Sequence, residues 1–182
     1  MRAAGFTPAV REMNDRPFAL LLTWTFYDTW LPGDQRGYVA NSRSQRGGFE
    51  PLHNVPGTAI DADHAESRDL ARSLQKHSSV RLTQGEALLV ADVFIAAAVK
   101  HNWQIVRGAV MANHVYLVVM ESPDNGPEVR RVFKGVSQTR LRNQTGKSGR
   151  WWTQGGSDRY LHGDDAILAA VRYVKQQEYC LV

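Results

Sequence analysis

The chain of 182 residues contains one cysteine, Cys180, and no long run of apolar residues. One cysteine cannot form a disulfide framework or a thiolate zinc site within one chain. A membrane span needs roughly 20 consecutive, mainly apolar residues. The segment 1–17 is polar and lacks the apolar core of a signal peptide, so we expect a flexible N-terminal segment. Together these features predict a cytoplasmic protein without a membrane partner.

Acidic residues are missing from one long stretch of the chain. Residues 129–157 contain seven basic residues and no acidic one, whereas the acids gather at 61–69 and 158–165. Such a stretch is a natural surface for phosphate groups, and a solvated helix face is the alternative interpretation. The basic residues of the stretch are Arg130, Arg131, Lys134, Arg140, Arg142, Lys147 and Arg150.

The hydrophobic pattern predicts one domain over residues 18–182, with an insertion at about 38–80. A buried strand at 18–26 precedes the insertion, which a short helix at 65–77 closes. Thr83 and Glu86 have the spacing of a capping box and open a helix that runs to about Lys100. Two strands follow at 103–111 and 113–120, or alternatively one hairpin that turns near Gly108.

The remaining elements are a helix from Pro127 to Gly146, short paired strands at 151–153 and 159–161, and a last helix at 166–177. Asp164 or Asp165 is the expected cap of the last helix. The order β-α-β-β-α-β-α predicts an α+β fold, in which helices pack mainly on one face of an antiparallel sheet.

Two short motifs carry candidate functional residues. In the predicted strand Met111 to Val119 (MANHVYLVV), His114 and Tyr116 project from the same face, roughly 7 Å apart. A histidine in place of Tyr116 would complete a compact metal-holding pair. On the last predicted helix, Tyr173 and Gln177 are four residues apart and share a face. Taken alone, each of these residues is more typical of packing than of catalysis.

Taken together and in this order, the motifs resemble those of the single-tyrosine insertion-sequence transposases of the HUH superfamily, and most of all the REP-associated tyrosine transposases. The strand motif resembles the M-P-N-H-V-H-L-L-V signature, and residues 173–177 (YVKQQ) resemble the helical Y-I-x-x-N/Q motif that follows it. Residues 29–34 (TWLPGD) and the Trp151-Trp152 pair add to a resemblance that spans roughly residues 18–182.

The resemblance implies a ferredoxin-like (RNA-recognition-motif-like) domain that cuts and rejoins single-stranded DNA at the foot of hairpins during DNA transposition. In the family, a helix tyrosine attacks a phosphodiester and keeps the 5′-phosphate, while two strand histidines and a polar residue bind Mg²⁺ or Mn²⁺. Carried over to this chain, Tyr173 is the nucleophile, and His114 and Gln177 are metal ligands. The family includes homodimers and monomers, and nucleoid association is expected of a DNA-binding member.

Tyr116 departs from the family pattern, because it stands where the second histidine is expected. A phenol ligates a metal well only when it is deprotonated, so metal affinity should fall. Three alternatives follow: a weakened active site, a site that uses Tyr116 or another nearby group, or a degenerate or domesticated protein that binds DNA or RNA hairpins without cleavage. A ferredoxin-like module that binds another protein is a further alternative, against which the basic stretch argues.

Several residues outside the two motifs are candidates for contact with nucleic acid. We assign hairpin phosphates mainly to Arg130, Arg131, Lys134 and Arg140. The turn at 30–37 offers glycine and Arg36 for close approach to a nucleic acid. Base stacking is the second kind of contact, with core packing as its alternative, and its candidates are Trp103, Trp151 and Trp152.

Overall fold

The computed structural model describes residues 19–29, 69–70, 72–74, 79–120, 122, 125–177, 180 and 182. The predicted N-terminal segment 1–17, the turn at 30–37 with Arg36, and most of the predicted insertion at 38–80 lie outside these ranges. Of the short helix predicted at 65–77, residues 69–70 and 72–74 are described; the first four of them are helical and residue 74 is in a turn.

The secondary structure follows the predicted order β-α-β-β-α-β-α. Its elements are β1 (Ala19–Thr25), α1 (Gln84–His101), β2 (Gln104–Val110), β3 (His114–Met120), α2 (Gly126–Thr145), β4 (Ser157–Leu161) and α3 (Gly163–Lys175). The strands form one antiparallel sheet in the order β2-β3-β1-β4. This topology is the ferredoxin-like split βαβ arrangement, and the predicted α+β fold is confirmed.

The strands alternate between two packed faces, as a period of two residues requires. On one face Leu22 and Trp24 of β1 join Val115 and Leu117 of β3 in the main core, which α1 and α2 cover. On the other face a smaller cluster packs under α3, and its buried members include Val118, Leu161, Ile167, Ala170 and Val174. Helices α1 and α2 therefore share a face, while α3 packs on the other face against β2 and β3.

Local sequence signals fix the ends of the helices on the main face. Thr83 and Glu86 form the predicted capping box, because each side chain accepts a hydrogen bond from the other residue's backbone N–H. Asn125 caps α2 through Glu128 N, and Gly146 ends this helix in the left-handed conformation at φ 68°. None of the helices in the described ranges is long and apolar enough to cross a membrane.

The β2–β3 hairpin turns at residues 111–113, where Met111 N donates to His114 O at 2.9 Å. The preferred strands at 103–111 and 113–120 are therefore close to those observed, and the alternative turn near Gly108 is wrong. Gly108 lies within β2 opposite Leu117. The absence of a side chain there leaves room for Leu117, whose Cδ2 would lie 3.0 Å from an added Cβ.

Two expectations for the C-terminal part are corrected. Residues 151–153 and 159–161 do not pair with each other, because β4 pairs with β1, and Trp152 bridges to Phe26 beyond the end of β1. The last helix starts earlier than predicted, at Gly163, which has φ 77° and follows His162 as the N-cap. Asp164 and Asp165 thus lie in the first turn and not at the cap.

Candidate active site

Tyr173 of α3 and Tyr116 of β3 meet through their hydroxyl groups. The Tyr173 hydroxyl donates to the Tyr116 hydroxyl at 3.1 Å, and the two rings meet edge to face with centroids 5.4 Å apart. Strand alternation turns Tyr116 toward α3, and the buried helix stripe that includes Ile167 and Val174 fixes the helix on the sheet. Tyr173 remains 47% exposed, so its hydroxyl lies at the molecular surface.

His114 belongs to the same cluster. Its ring is 4.8 Å from that of Tyr116, at an interplanar angle of 87°. The His114 Nδ1 atom lies 2.7 Å from Asn113 Oδ1, an acceptor to which a proton on Nδ1 would be donated. Nε2 is buried. Asn113 was not among the predicted site residues, although it stands next to the histidine in the quoted strand motif.

Gln177 lies just beyond α3 and not on its face, because the helix ends at Lys175 with Gln176 as the C-cap. Its side-chain Nε2 donates to the backbone carbonyl of Tyr173 at 2.9 Å. The amide nitrogen thus closes the end of the helix that carries Tyr173. Tyr173 and Gln177 are therefore neighbours, but they do not share a helical face as expected, and the amide nitrogen of Gln177 bonds to the backbone.

Among the described residues, the site lacks the donors that a preformed divalent-ion site requires. Burial raises the pKa of Tyr116 well above its ordinary value, so this phenol stays neutral and is a poor ligand. In the described ranges, no three His, Cys, Asp or Glu side chains come together in a way that could hold a metal ion. His114 and Gln177 are the expected ligands that remain, and with a buried Nε2 they do not fit a preformed Mg²⁺ or Mn²⁺ site.

Two of the basic residues assigned to hairpin phosphates act inside the fold. Arg130 forms an ion pair with Asp158 at 2.9 Å, and their side chains are only 14% and 11% exposed. The Lys134 Nζ donates to the carbonyl oxygens of Thr153 and Gly155, at 2.7 Å each. Burial lowers the pKa of Lys134 to about 8. These residues anchor the segment before β4, which corrects their assignment to an exposed phosphate-binding face.

The other two assigned residues lie on the surface of α2. Arg140 is exposed, and Arg131 is exposed and forms an ion pair with Glu128 one turn earlier on the helix. An exposed i,i+3 pair of this kind is weak and can give way to a phosphate. Arg131 and Arg140 are therefore the two assigned residues of this helix that still face solvent.

The three tryptophans assigned to base stacking are packed in the core. Trp103, Trp151 and Trp152 are 5%, 3% and 5% exposed. Trp152 stacks on Phe26 with centroids 4.0 Å apart, and its Nε1 donates to the Lys134 carbonyl at 3.1 Å. Because their rings do not face solvent, the prediction that these tryptophans stack on bases is wrong, and the alternative of core packing is correct.

No protein-family model matches the chain, and no curated protein matches it. The chain is similar to two transposases of known structure. One is a REP-associated tyrosine transposase bound to a REP hairpin, with 10% identity, a TM-score of 0.44, and coverage of 92% of this chain and 70% of the other. The second is a Deinococcus radiodurans protein with a provisional transposase assignment, at 13% identity, a TM-score of 0.41 and 99% coverage of both chains. At these values neither similarity assigns a function or a residue role to this chain.

Proposed function

We propose that this protein cuts and rejoins single-stranded DNA at hairpins, as in DNA transposition, and that Tyr173 is the nucleophile. The observation that carries the proposal is the position of the Tyr173 hydroxyl. It is exposed, and it lies 3.1 Å from the hydroxyl of Tyr116, on the strand face that also carries His114. The helix tyrosine and the strand motif, which are far apart in sequence, thus meet within one chain.

The proposed reaction exchanges one phosphodiester for another. The Tyr173 oxygen attacks the phosphorus and loses its proton to solvent, the bond from phosphorus to O3′ breaks, and O3′ leaves as a hydroxyl after it gains a proton. The product is a 5′-phosphotyrosine and a free 3′-OH. Attack by a 3′-OH on the phosphotyrosine reverses these changes, so rejoining consumes no nucleotide triphosphate.

Tyr116 serves in this proposal as a positioning residue. Its oxygen accepts the hydrogen bond from Tyr173 and so restrains the nucleophile before attack. Because its pKa is raised, Tyr116 stays protonated near pH 7 and does not take up the proton that Tyr173 loses.

A second candidate function is the binding of DNA or RNA hairpins without cleavage. The neutral phenol of Tyr116 and the buried Nε2 of His114 favour it, because both oppose metal-assisted attack. Both candidates require hairpin binding, and they differ in whether a covalent intermediate forms.

The experiment that separates the two candidates is incubation with a labelled single-stranded hairpin DNA, with and without Mn²⁺, followed by a denaturing gel. We expect a covalent adduct that Tyr173→Phe abolishes. Tyr160→Phe is the matched control, because Tyr160 is also exposed but lies on β4. Hairpin binding without an adduct would favour the second candidate, and an adduct that persists in Tyr173→Phe would exclude Tyr173 as the nucleophile.

A further inference from the structure

A groove of about 290 Å³ lies between the segment before α1 and the segment after α2, away from the tyrosine cluster. Residues 79–81 form one wall and residues 147–151 form the other. Both segments come from loops that carry no part of the two family-like motifs. The groove is therefore a separate feature of the molecule.

The groove is lined by three cations, Arg81, Lys147 and Arg150, and by no acidic residue. Arg81 and Arg150 are exposed, and neither makes an ion pair with another residue in the described part of the chain. Lys147 lies over the Trp151 ring, 5.6 Å from its centroid, and 3.5 Å from Glu86 Oε1. With the carboxylate of Glu86 counted, the three cations still leave a net positive charge at the groove.

Hydrogen bonds fix both walls of the groove to the end of β1. Tyr27 N donates to the Trp151 carbonyl at 2.9 Å, and Val80 N donates to the Tyr27 carbonyl at 3.0 Å. Arg142 adds a bond to the Gly149 carbonyl at 2.6 Å, in a loop where Gly149 has φ 113°. These hydrogen bonds thus fix the two walls of the groove relative to each other.

The groove and the tyrosine cluster lie at the same end of the sheet. Leu82, next to the first wall, donates from its N–H to the carbonyl of Ala112 at 2.8 Å, two residues before His114. Phe26, next to Tyr27, donates to the Asn113 carbonyl at 2.9 Å. The walls of the groove are thus joined to the residues that directly precede His114.

We propose that this groove binds a backbone phosphate of the same DNA molecule that the tyrosine site engages. The inference rests on the proposed function for the identity of the ligand. Two guanidinium groups and one ammonium group, against the single carboxylate of Glu86 beside Lys147, supply the positive charge and the hydrogen-bond donors that bind a phosphate group. The serine hydroxyls at 79 and 148 add polar groups to the walls. Trp151, which is mostly buried, adds an apolar surface to the lining of the groove.

The test measures affinity for a single-stranded hairpin DNA at several salt concentrations. Arg81→Ala combined with Arg150→Ala should weaken hairpin binding about tenfold. The slope of log binding constant against log salt concentration should become shallower by roughly 0.7 to 0.9 for each phosphate contact removed. Lys100→Ala combined with Arg107→Ala is the matched control, because it removes the same charge from exposed residues outside the groove. The control should change affinity and slope much less.

A second arm separates DNA phosphate from free phosphate, with inorganic phosphate titrated against the amide signals of Gly149 and Trp151. The proposal is supported if the groove double variant loses hairpin affinity and the control does not. The proposal is overturned if the groove double variant and the control double variant have the same hairpin affinity. It is also overturned if inorganic phosphate shifts the amide signals of the groove while the groove double variant binds the hairpin as tightly as the unmodified protein does. If the unmodified protein binds no hairpin at all, the proposed function fails first, and that result is distinct from a failure of the groove alone.

Discussion

The Tyr173 hydroxyl lies 3.1 Å from the Tyr116 hydroxyl, and this contact joins the last helix to the third strand within one chain. Tyr116 occupies the position where the family-like strand motif would have a second histidine. In this protein that position supplies a hydrogen-bond acceptor to the nucleophile candidate and not a nitrogen ligand to a metal. In the proposed function, the chemistry of position 116 therefore distinguishes a metal-assisted site from one without a metal.

Replacing Tyr116 by histidine should tighten Mn²⁺ binding and increase the yield of covalent adduct. An imidazole offers a neutral nitrogen lone pair, which the protonated phenol lacks. A tenfold gain in affinity corresponds to about 1.4 kcal/mol, a plausible size for one improved ligand. Calorimetric titration with Mn²⁺ and the denaturing gel measure the two effects, and Tyr116→Phe is the control that should gain neither. If Tyr116→His changes neither quantity, hairpin binding without cleavage becomes the better account.

Gly156→Ala should destabilise the fold by about 1–3 kcal/mol, the usual cost of forcing extra atoms into a packed site. A Cβ at this position would lie 2.7 Å from Arg130 Nη1 and 2.8 Å from the Thr23 carbonyl oxygen. It would therefore press on the ion pair between Arg130 and Asp158. Denaturant unfolding measures the loss. Gly155→Ala is the matched control, since nothing lies within 4 Å of a Cβ there, and equal stability of the two variants would contradict the prediction.

The free energy of unfolding should rise with pH between about 8 and about 10.4 because of Lys134. Burial lowers its pKa to about 8 in the folded state, whereas an unfolded chain has a lysine pKa of about 10.4. Within this window the unfolded state binds more protons, so a rise in pH favours the folded state. Lys134→Met should remove this part of the pH dependence. Lys147→Met should keep it, because the Lys147 side chain is 67% exposed. Parallel stability curves for Lys134→Met and the unmodified protein would refute the assignment.

Local signals predicted most of the fold. The capping box at Thr83 and Glu86 placed the start of α1, and strand alternation placed His114 and Tyr116 on one face. The segment before β4 could not be predicted, because Arg130 and Lys134 find their partners in Asp158 and in backbone carbonyls at 153–155. A basic residue has the same sequence signature whether it faces solvent or a distant carboxylate. The early end of α3 was also missed, since no glycine or proline marks it.

The proposal that Tyr173 is the nucleophile is tested most directly by locating the covalent bond to DNA. After reaction with a hairpin DNA, nuclease digestion and trypsin cleavage, mass spectrometry locates the nucleotide adduct on a peptide. Trypsin cuts after Arg172 and Lys175, so the claim predicts a 5′-phosphonucleotide on the peptide of residues 173–175, which contains Tyr173 as its single hydroxyl-bearing side chain. The absence of an adduct on that peptide in a protein that binds the hairpin, or an adduct on another tyrosine, would contradict it.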